Sequence, residues 1–230
     1  HALSTASIDN IIHDLSPAMN EGLQGANEKL YNAMMYGVSV TEFIEGKKAN
    51  PTIALIDWQN INNNAYHVTE EMVVENSQGT GHRIPDIVCF VNGFPWVVIE
   101  AKRPDSAKEG KSTLQSGISQ QLRNQGQTEI PHLFAYSQLL LSINGHEGLY
   151  ATCGTSDKFW ANWKEELIPE IDYVRLKNQP LKPEQLNAVF GHRPASVRSE
   201  YEAMLVGGEL VVTDQDRLLV SLLRPDRLLE

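Results

Sequence analysis

Apolar positions along the chain keep two different periods. Between Ser16 and Val38, Leu23, Ala26, Leu30, Met34 and Gly37 recur at helical spacing, which predicts a first long helix. Ser16 is placed to cap it, and Pro17 suits the first helical position. The period then drops to two: 38–44 and 52–58 read as strands either side of the turn "GKKANP". A polar loop, "QNINNN", leads to a third strand over 65–75 and a glycine-rich connection, "NSQGTGH". Next comes "RIPDIVCFVNGFPWVVIEAKRP" (83–104), two apolar runs folded about Asn92-Gly93, the strongest short hairpin signal in the chain.

After Pro104 the helical period returns. Residues 112–125 carry Leu114, Ile118 and Leu122 on one face. A strand with a turn follows over 131–145, then a short strand over 148–154. Residues 156–167 read as an amphipathic helix, with Ser156 as its cap and Phe159, Trp160, Trp163 and Leu167 on one face. From Pro169 the text is punctuated by prolines around helical pieces near 184–190 and 214–223. No internal repeat or low-complexity tract interrupts the order. It predicts an α/β domain: a mixed central sheet flanked by helices over 1–168, with a helical C-terminal extension over 169–230. The chain opens on His1 and ends within an apolar stretch, "RPDRLLE", so the natural polypeptide is expected to continue.

Composition adds bounds. With 230 residues, 41% of them hydrophobic and 21% charged, a sizeable core is available. Cys89 and Cys153 are the two cysteines; they make no disulfide framework or zinc spacing, and a reducing cytoplasm is the expected compartment. No apolar run is long enough to span a bilayer, so no membrane role is expected. The net charge of −10 argues against nucleic-acid binding through a globally positive surface. It leaves room for a local basic groove, and suits a site that uses carboxylates for a divalent cation.

The hairpin carries the candidate chemistry. Asp86 stands at one end, and Glu100 and Lys102 at the other. Glu100 and Lys102 are two apart and share a face, while Ile99 and Ala101 point the other way. A strict two-residue loop sets Asp86 opposite Ile99, on the wrong face. A three-residue loop or a bulge near Pro95 sets it opposite Glu100, and that one-residue adjustment is the expectation. Two carboxylates and an ammonium would then converge, a donor set that suits Mg²⁺ and phosphoryl chemistry. The plain alternative is a cross-strand ion pair at a sheet edge. Charges set among apolar strands favour the functional reading.

Pro85-Asp86 followed by Glu100-Ala101-Lys102 resembles the PD-(D/E)XK nuclease signature. "LIDW…N..AYHV" (55–68), the hairpin itself, "ISQQLRNQ…IPHLFAYSQLLLSING" (118–145) and "ATCGTSDKFWANWKE" (151–165) are similar, in order, to the amino-terminal nuclease region of the restriction (R, translocase) subunit of type I restriction-modification enzymes. The resemblance implies a restriction-endonuclease-like core. In it Asp86 and Glu100 bind Mg²⁺, Lys102 is the catalytic lysine, and the reaction is hydrolysis of double-stranded DNA. It implies modification and specificity subunits as partners, and ATP only through motor domains not contained in these residues. The isolated segment is expected to cut weakly or not at all.

Related nucleases carry a Gln-x-x-x-Tyr element on the next helix; Gln120 matches the glutamine, but Asn124 stands where the tyrosine is expected. Gln120 is therefore a supporting candidate, weighed evenly against a solvated helix face. Glu28, with Glu21 behind it, is a candidate third acid from the first core helix, against the commoner reading of exposed helix charges. Glu70 and Glu71 compete with it. Arg103, Lys108, Lys111 and Arg123 make a candidate strip for DNA phosphates, or a solvated loop and helix start. "EGKST" (109–113) ends like a phosphate-binding loop, but Asp105 replaces the glycine the pattern needs, so these read as helix-start residues. The histidines show no metal-ligand spacing. Two other readings stay open: a non-catalytic nuclease-like docking or DNA-gating module of the same complex, and a free-standing repair or recombination nuclease.

Overall fold

The computed structural model describes residues 3–17, 19–104, 112–163, 165 and 167–229. The chain divides into two compact units, His1–Asn162 with Leu229–Glu230, and Trp163–Leu228.

The first unit opens with a helix that the apolar period did not announce, α1 (Thr5–Leu15). Ser4 caps it by accepting the Ser7 N–H, and the buried Glu42 carboxylate accepts the Ser4 N–H at 2.7 Å. Ser16, expected to start the first long helix, instead ends α1 by donating its N–H to His13 O. The long helix itself, α2 (Gly22–Tyr36), buries Ala26, Leu30 and Met34 as their spacing requires. The strand expected over 38–44 is two short pieces, β1 (Val38–Ser39) and β2 (Glu42–Ile44). β3 (Lys47–Ala49) forms where a turn was expected; the reversal is shorter, at Glu45 and Gly46, both with positive φ, and β3 pairs with β2. β4 (Thr52–Ile53) pairs with β1, and the expected strand stops there because the chain enters the polar loop early.

The third expected strand is split at Glu71, where φ is +49°, into β5 (Tyr66–Glu70) and β6 (Val74–Glu75). β6 pairs with β7 (His82–Arg83), and the opening hairpin follows as β8 (Ile87–Val91) and β9 (Phe94–Ala101). Then come α3 (Thr113–Asn124), α4 (Pro131–Phe134), β10 (Leu139–Ile143) and β11 (Gly148–Ala151). The segment from Pro131 thus begins as a helical turn rather than a strand, consistent with proline at a first helical position.

The sheet order is β11-β10-β9-β8-β5. β9 and β10 are parallel and the other neighbours antiparallel, so α3 and α4 form the crossover between β9 and β10. This is the mixed α/β sheet with flanking helices that the pattern predicts. β9 is buried from Trp96 to Glu100, as a central strand covered on both faces must be. Val98 packs with Ile118, Ile130, Phe134, Leu140 and Trp160 in the core under α3 and α4.

The helix expected over 156–167 is absent from the described part of that stretch. Asp157–Phe159 makes one 3-10 turn, and Ala161 bridges to Tyr150 with both backbone hydrogen bonds. β11 is an edge strand of the sheet, and burial of Trp160 in the core draws the chain onto that edge.

The second unit holds α5 (Glu170–Asn178), α6 (Pro183–Phe190), α7 (Ala195–Val206), α8 (Asp214–Leu223) and α9 (Pro225–Leu228). α6 and α8 were expected; α5 and α7 were not, because their apolar residues keep no clear helical stripe. Tyr173, Leu218 and Ser221 are buried, with Tyr173 Oη 2.9 Å from Ser221 Oγ.

Candidate active site

The β8–β9 hairpin turns on Asn92 and Gly93, both with positive φ (+50° and +86°), the geometry of a two-residue type I′ loop. The Asn92 side chain locks the tip by donating to Leu55 O and Asn64 Oδ1 and accepting the Ala65 N–H. Val91 pairs with Phe94 and Phe90 with Pro95, but Cys89 then pairs with Val97. The ladder skips Trp96. This one-residue bulge, next to a proline that cannot donate to the ladder, moves every later pair by one position. Val88 faces Val98 and Ile87 faces Ile99, which brings Asp86 across from Glu100.

The three charges meet there. Lys102 Nζ lies 3.0 Å from Glu100 Oε2 and 3.3 Å from Asp86 Oδ2, and Asp86 Oδ2 also accepts the Ala101 N–H at 2.8 Å. Glu100 is wholly buried, whereas the Asp86 side chain is about one-third exposed. Pro85 is buried behind Asp86, and the Glu71 N–H donates to Asp86 O at 2.9 Å, so the carboxylate sits on a fixed backbone. Lys102 extends the ladder by donating its N–H to Ile143 O.

Burial pushes the Glu100 carboxyl up to about 8; the negative charge of Asp86 adds to the shift, and the Lys102 ammonium opposes it without cancelling it. Burial works against the charge on Lys102, but Glu100 and Asp86 outweigh it and hold the ammonium above its ordinary range. Glu100 Oε1 is buried and has no hydrogen-bond partner among the described residues. A buried carboxylate oxygen without a donor is an unsatisfied acceptor, and carboxylate oxygens are the hard donors that suit a divalent cation. Among the described residues no group of three His, Cys, Asp or Glu is placed to hold a metal ion, and Asp86 and Glu100 are the two carboxylates that stand together here.

α3 closes the site from above. Its N-terminus is capped by Ser112, which accepts the Gln115 N–H, so this end of "EGKST" serves as a helix start. Gly117 lets the helix approach the sheet: a Cβ there would lie 2.2 Å from Ser142 Oγ and 3.5 Å from Glu100 Cβ. Ser142, the β10 partner of Glu100, donates its hydroxyl to Leu114 O.

The other candidates are spread out. Gln120 is half-buried on α3, one position from Gln121, which is wholly buried beneath the helix. Sequence spacing did not single out Gln121; its place on the Leu114–Ile118 face was the available signal. Glu28 is exposed, facing away from the buried Ala26–Leu30–Met34 stripe of α2. Glu21, Glu70 and Glu71 are also exposed. Arg103 is exposed immediately after the site. Arg123 lies about 15 Å along α3 from its N-terminus and bonds Asn124 Oδ1, so it stands at the opposite end of the helix. Lys108 and Lys111 lie outside the described residues. Burial pushes the Cys89 and Cys153 thiols up to about 11 and about 12, leaving neither as a thiolate nucleophile. No helix among the described residues is long and apolar enough to cross a membrane.

A mixed α/β domain with a five-stranded mixed sheet and flanking helices is consistent with a nuclease-like fold. The chain belongs to the family described as type I restriction enzyme R protein N terminus, whose model matches residues 2–159. It is 28% identical over 165 residues to the type I restriction enzyme HindI endonuclease subunit of Haemophilus influenzae. It is 32% identical over 171 residues to the putative type I restriction enzyme MjaVIIIP endonuclease subunit of Methanocaldococcus jannaschii. These matches cover 70% and 71% of this chain but 15% and 16% of the relatives.

Proposed function

We propose that this chain is the nuclease part of a type I restriction enzyme R subunit, of the PD-(D/E)XK kind, and hydrolyses phosphodiesters of double-stranded DNA with Mg²⁺. The observation that carries the reading is the meeting of Asp86, Glu100 and Lys102 at one point of a rigid strand end. Asp86 and Glu100 would hold the cation. When bound, it supplies positive charge to the phosphoryl oxygens and acidifies water. Lys102, held protonated, orients water by hydrogen bonding and neutralises charge developing on the phosphoryl oxygens. A water oxygen bonds to phosphorus, the ester P–O bond breaks, and a proton passes to the departing oxygen. The full subunit would add ATP-driven DNA translocation, with modification and specificity subunits as partners and the cytoplasm as compartment.

The test uses the assembled enzyme. Asp86→Ala, Glu100→Ala and Lys102→Ala are each expected to abolish DNA cleavage while subunit assembly persists; unchanged cleavage in any one removes that residue from the mechanism. Calorimetric titration with Mg²⁺ separates this reading from a non-catalytic docking or gating module. Binding that disappears in Asp86→Ala supports the nuclease, and binding indifferent to Asp86 supports the module.

A further inference from the structure

The two edges of the sheet are finished differently. At one edge Ala161 bridges to Tyr150 of β11 through both backbone hydrogen bonds. At the other, β5 pairs with β8 along its whole length, and among the described residues no strand lies on its outer side. Ala65 O accepts the Asn92 N–H at one end of this ladder, and the Glu71 N–H donates to Asp86 O at the other. Alternation in an antiparallel pair therefore turns the backbone groups of His67 and Thr69 toward β8. The N–H and C=O of Tyr66 and Val68 point outward, away from the sheet. The Val68 side chain is 71% exposed there, and His67 and Glu70 are exposed beside it.

Soluble proteins blunt such an edge with lysine, proline or a bulge, or cover it. Tyr66–Glu70 reads Tyr-His-Val-Thr-Glu, with no lysine or proline, and its register with β8 is unbroken. Tyrosine, valine and threonine favour extended pairing. The strand also suits its own copy. Outward groups must meet outward groups, so an antiparallel pairing of β5 with β5 over its full length has a single register. Val68 meets Val68 of the second copy on a two-fold axis, Tyr66 meets Glu70, and His67 meets Thr69. No carboxylate faces a carboxylate and no histidine faces a histidine, so the charges along the strand do not oppose the match. The net charge of −10 on each copy does oppose it, but at physiological ionic strength charges more than about 8 Å apart are largely screened.

We propose that the outer edge of β5 docks a second copy of this chain by antiparallel strand addition centred on Val68. The pairing depends on the edge alone, not on the nuclease reading. It reaches the candidate site all the same, because the strand that the second copy steadies leads into the Glu71 N–H that holds Asp86 O. One short strand buries little beside the roughly 1,200–2,000 Å² of a stable interface, so a dissociation constant on the order of 0.1 mM is expected.

Sedimentation velocity over about 10 µM to 1 mM measures association of the parent chain and of its Val68→Lys and Val68→Glu variants. Each variant puts like charges on the two-fold axis and is expected to weaken association about tenfold. Mixed in equal amounts, the two variants set lysine opposite glutamate and should recover most of that loss. In the parent, amide hydrogen exchange at Tyr66 and Val68 is expected to slow several-fold as concentration rises. His67 and Thr69, already bonded to β8, should hold constant. A parent that stays monomeric throughout overturns the proposal. Association indifferent to both variants also overturns it, since the contact then lies on another surface. So does a loss in both variants without recovery in the mixture, which means that β5 meets something other than itself. The exchange measurement needs no variant, so slowing that fails to appear at Tyr66 and Val68 overturns the proposal even if a substitution unfolds the chain.

Discussion

Asp86 and Ala101 are joined across the hairpin by a 2.8 Å hydrogen bond from the Ala101 N–H to the Asp86 carboxylate, the same oxygen that faces Lys102. Asp86 is therefore both a strand-end cap and a charge. Asp86→Asn separates the roles, since the amide oxygen still accepts the backbone N–H. The variant should stay within about 1 kcal/mol of the parent in urea unfolding. It should lose Mg²⁺ binding by calorimetry. It should also lower the Glu100 pKa, because the charge of Asp86 is one cause of its elevation. A large loss of stability would mean that the charge itself holds the hairpin.

Glu100 predicts a pH dependence of stability without metal. Its folded value of about 8 lies above the ordinary 4.5, so between those values the native state holds a proton that the unfolded chain has released. Stability from this group is complete below about pH 4.5, declines as pH rises, and levels off above about 8. The slope is at most about 1.4 kcal/mol per pH unit. Glu100→Gln should flatten that decline and be more stable than the parent at pH 8, as read by chemical denaturation in chelator from pH 5 to 8.5. A parent whose stability climbs over that range would contradict the assignment.

Gly117 predicts a coupling between α3 and β10. Gly117→Ala places a methyl 2.2 Å from Ser142 Oγ and should cost about 1–3 kcal/mol. Ser142→Ala removes the closest contact, so the double variant should recover at least about 1 kcal/mol in a thermodynamic cycle. Strict additivity would show that the helix shifts away instead.

Asn92 predicts a distant effect on the hairpin. Asn92→Ala loses bonds to Leu55, Asn64 and Ala65 and keeps a residue at positive φ, for an expected cost of about 2 kcal/mol in urea unfolding. Asn92→Gly, which relieves the backbone, should cost less. Equal losses would assign the whole effect to the side-chain bonds.

Much of the framework was legible as pattern. α2, α3, α6 and α8 show spaced apolar residues or cap chemistry, and the hairpin announces itself through Asn92-Gly93. α1, α5 and α7 were not legible, because they bury little: Ser7 and Ile11 in α1, Tyr173 in α5 and no residue in α7. The stretch after Ser156 misled for the opposite reason. Its aromatic spacing looks helical, but Trp160 is claimed by a core assembled from distant segments.

The identities of Asp86, Glu100 and Lys102, and the shared face of the last two, were determined by the sequence alone, since alternation along a strand is a local property. Their convergence depended on one residue of register. Local pattern permits either pairing across the turn, and only the packed sheet, with the bulge at Trp96, selects the one that turns Asp86 toward Glu100. Gln121 shows the same limit. Between two adjacent glutamines on one helix, only the contact of α3 with the β9–β10 pair decides which is buried against the backbone of the site.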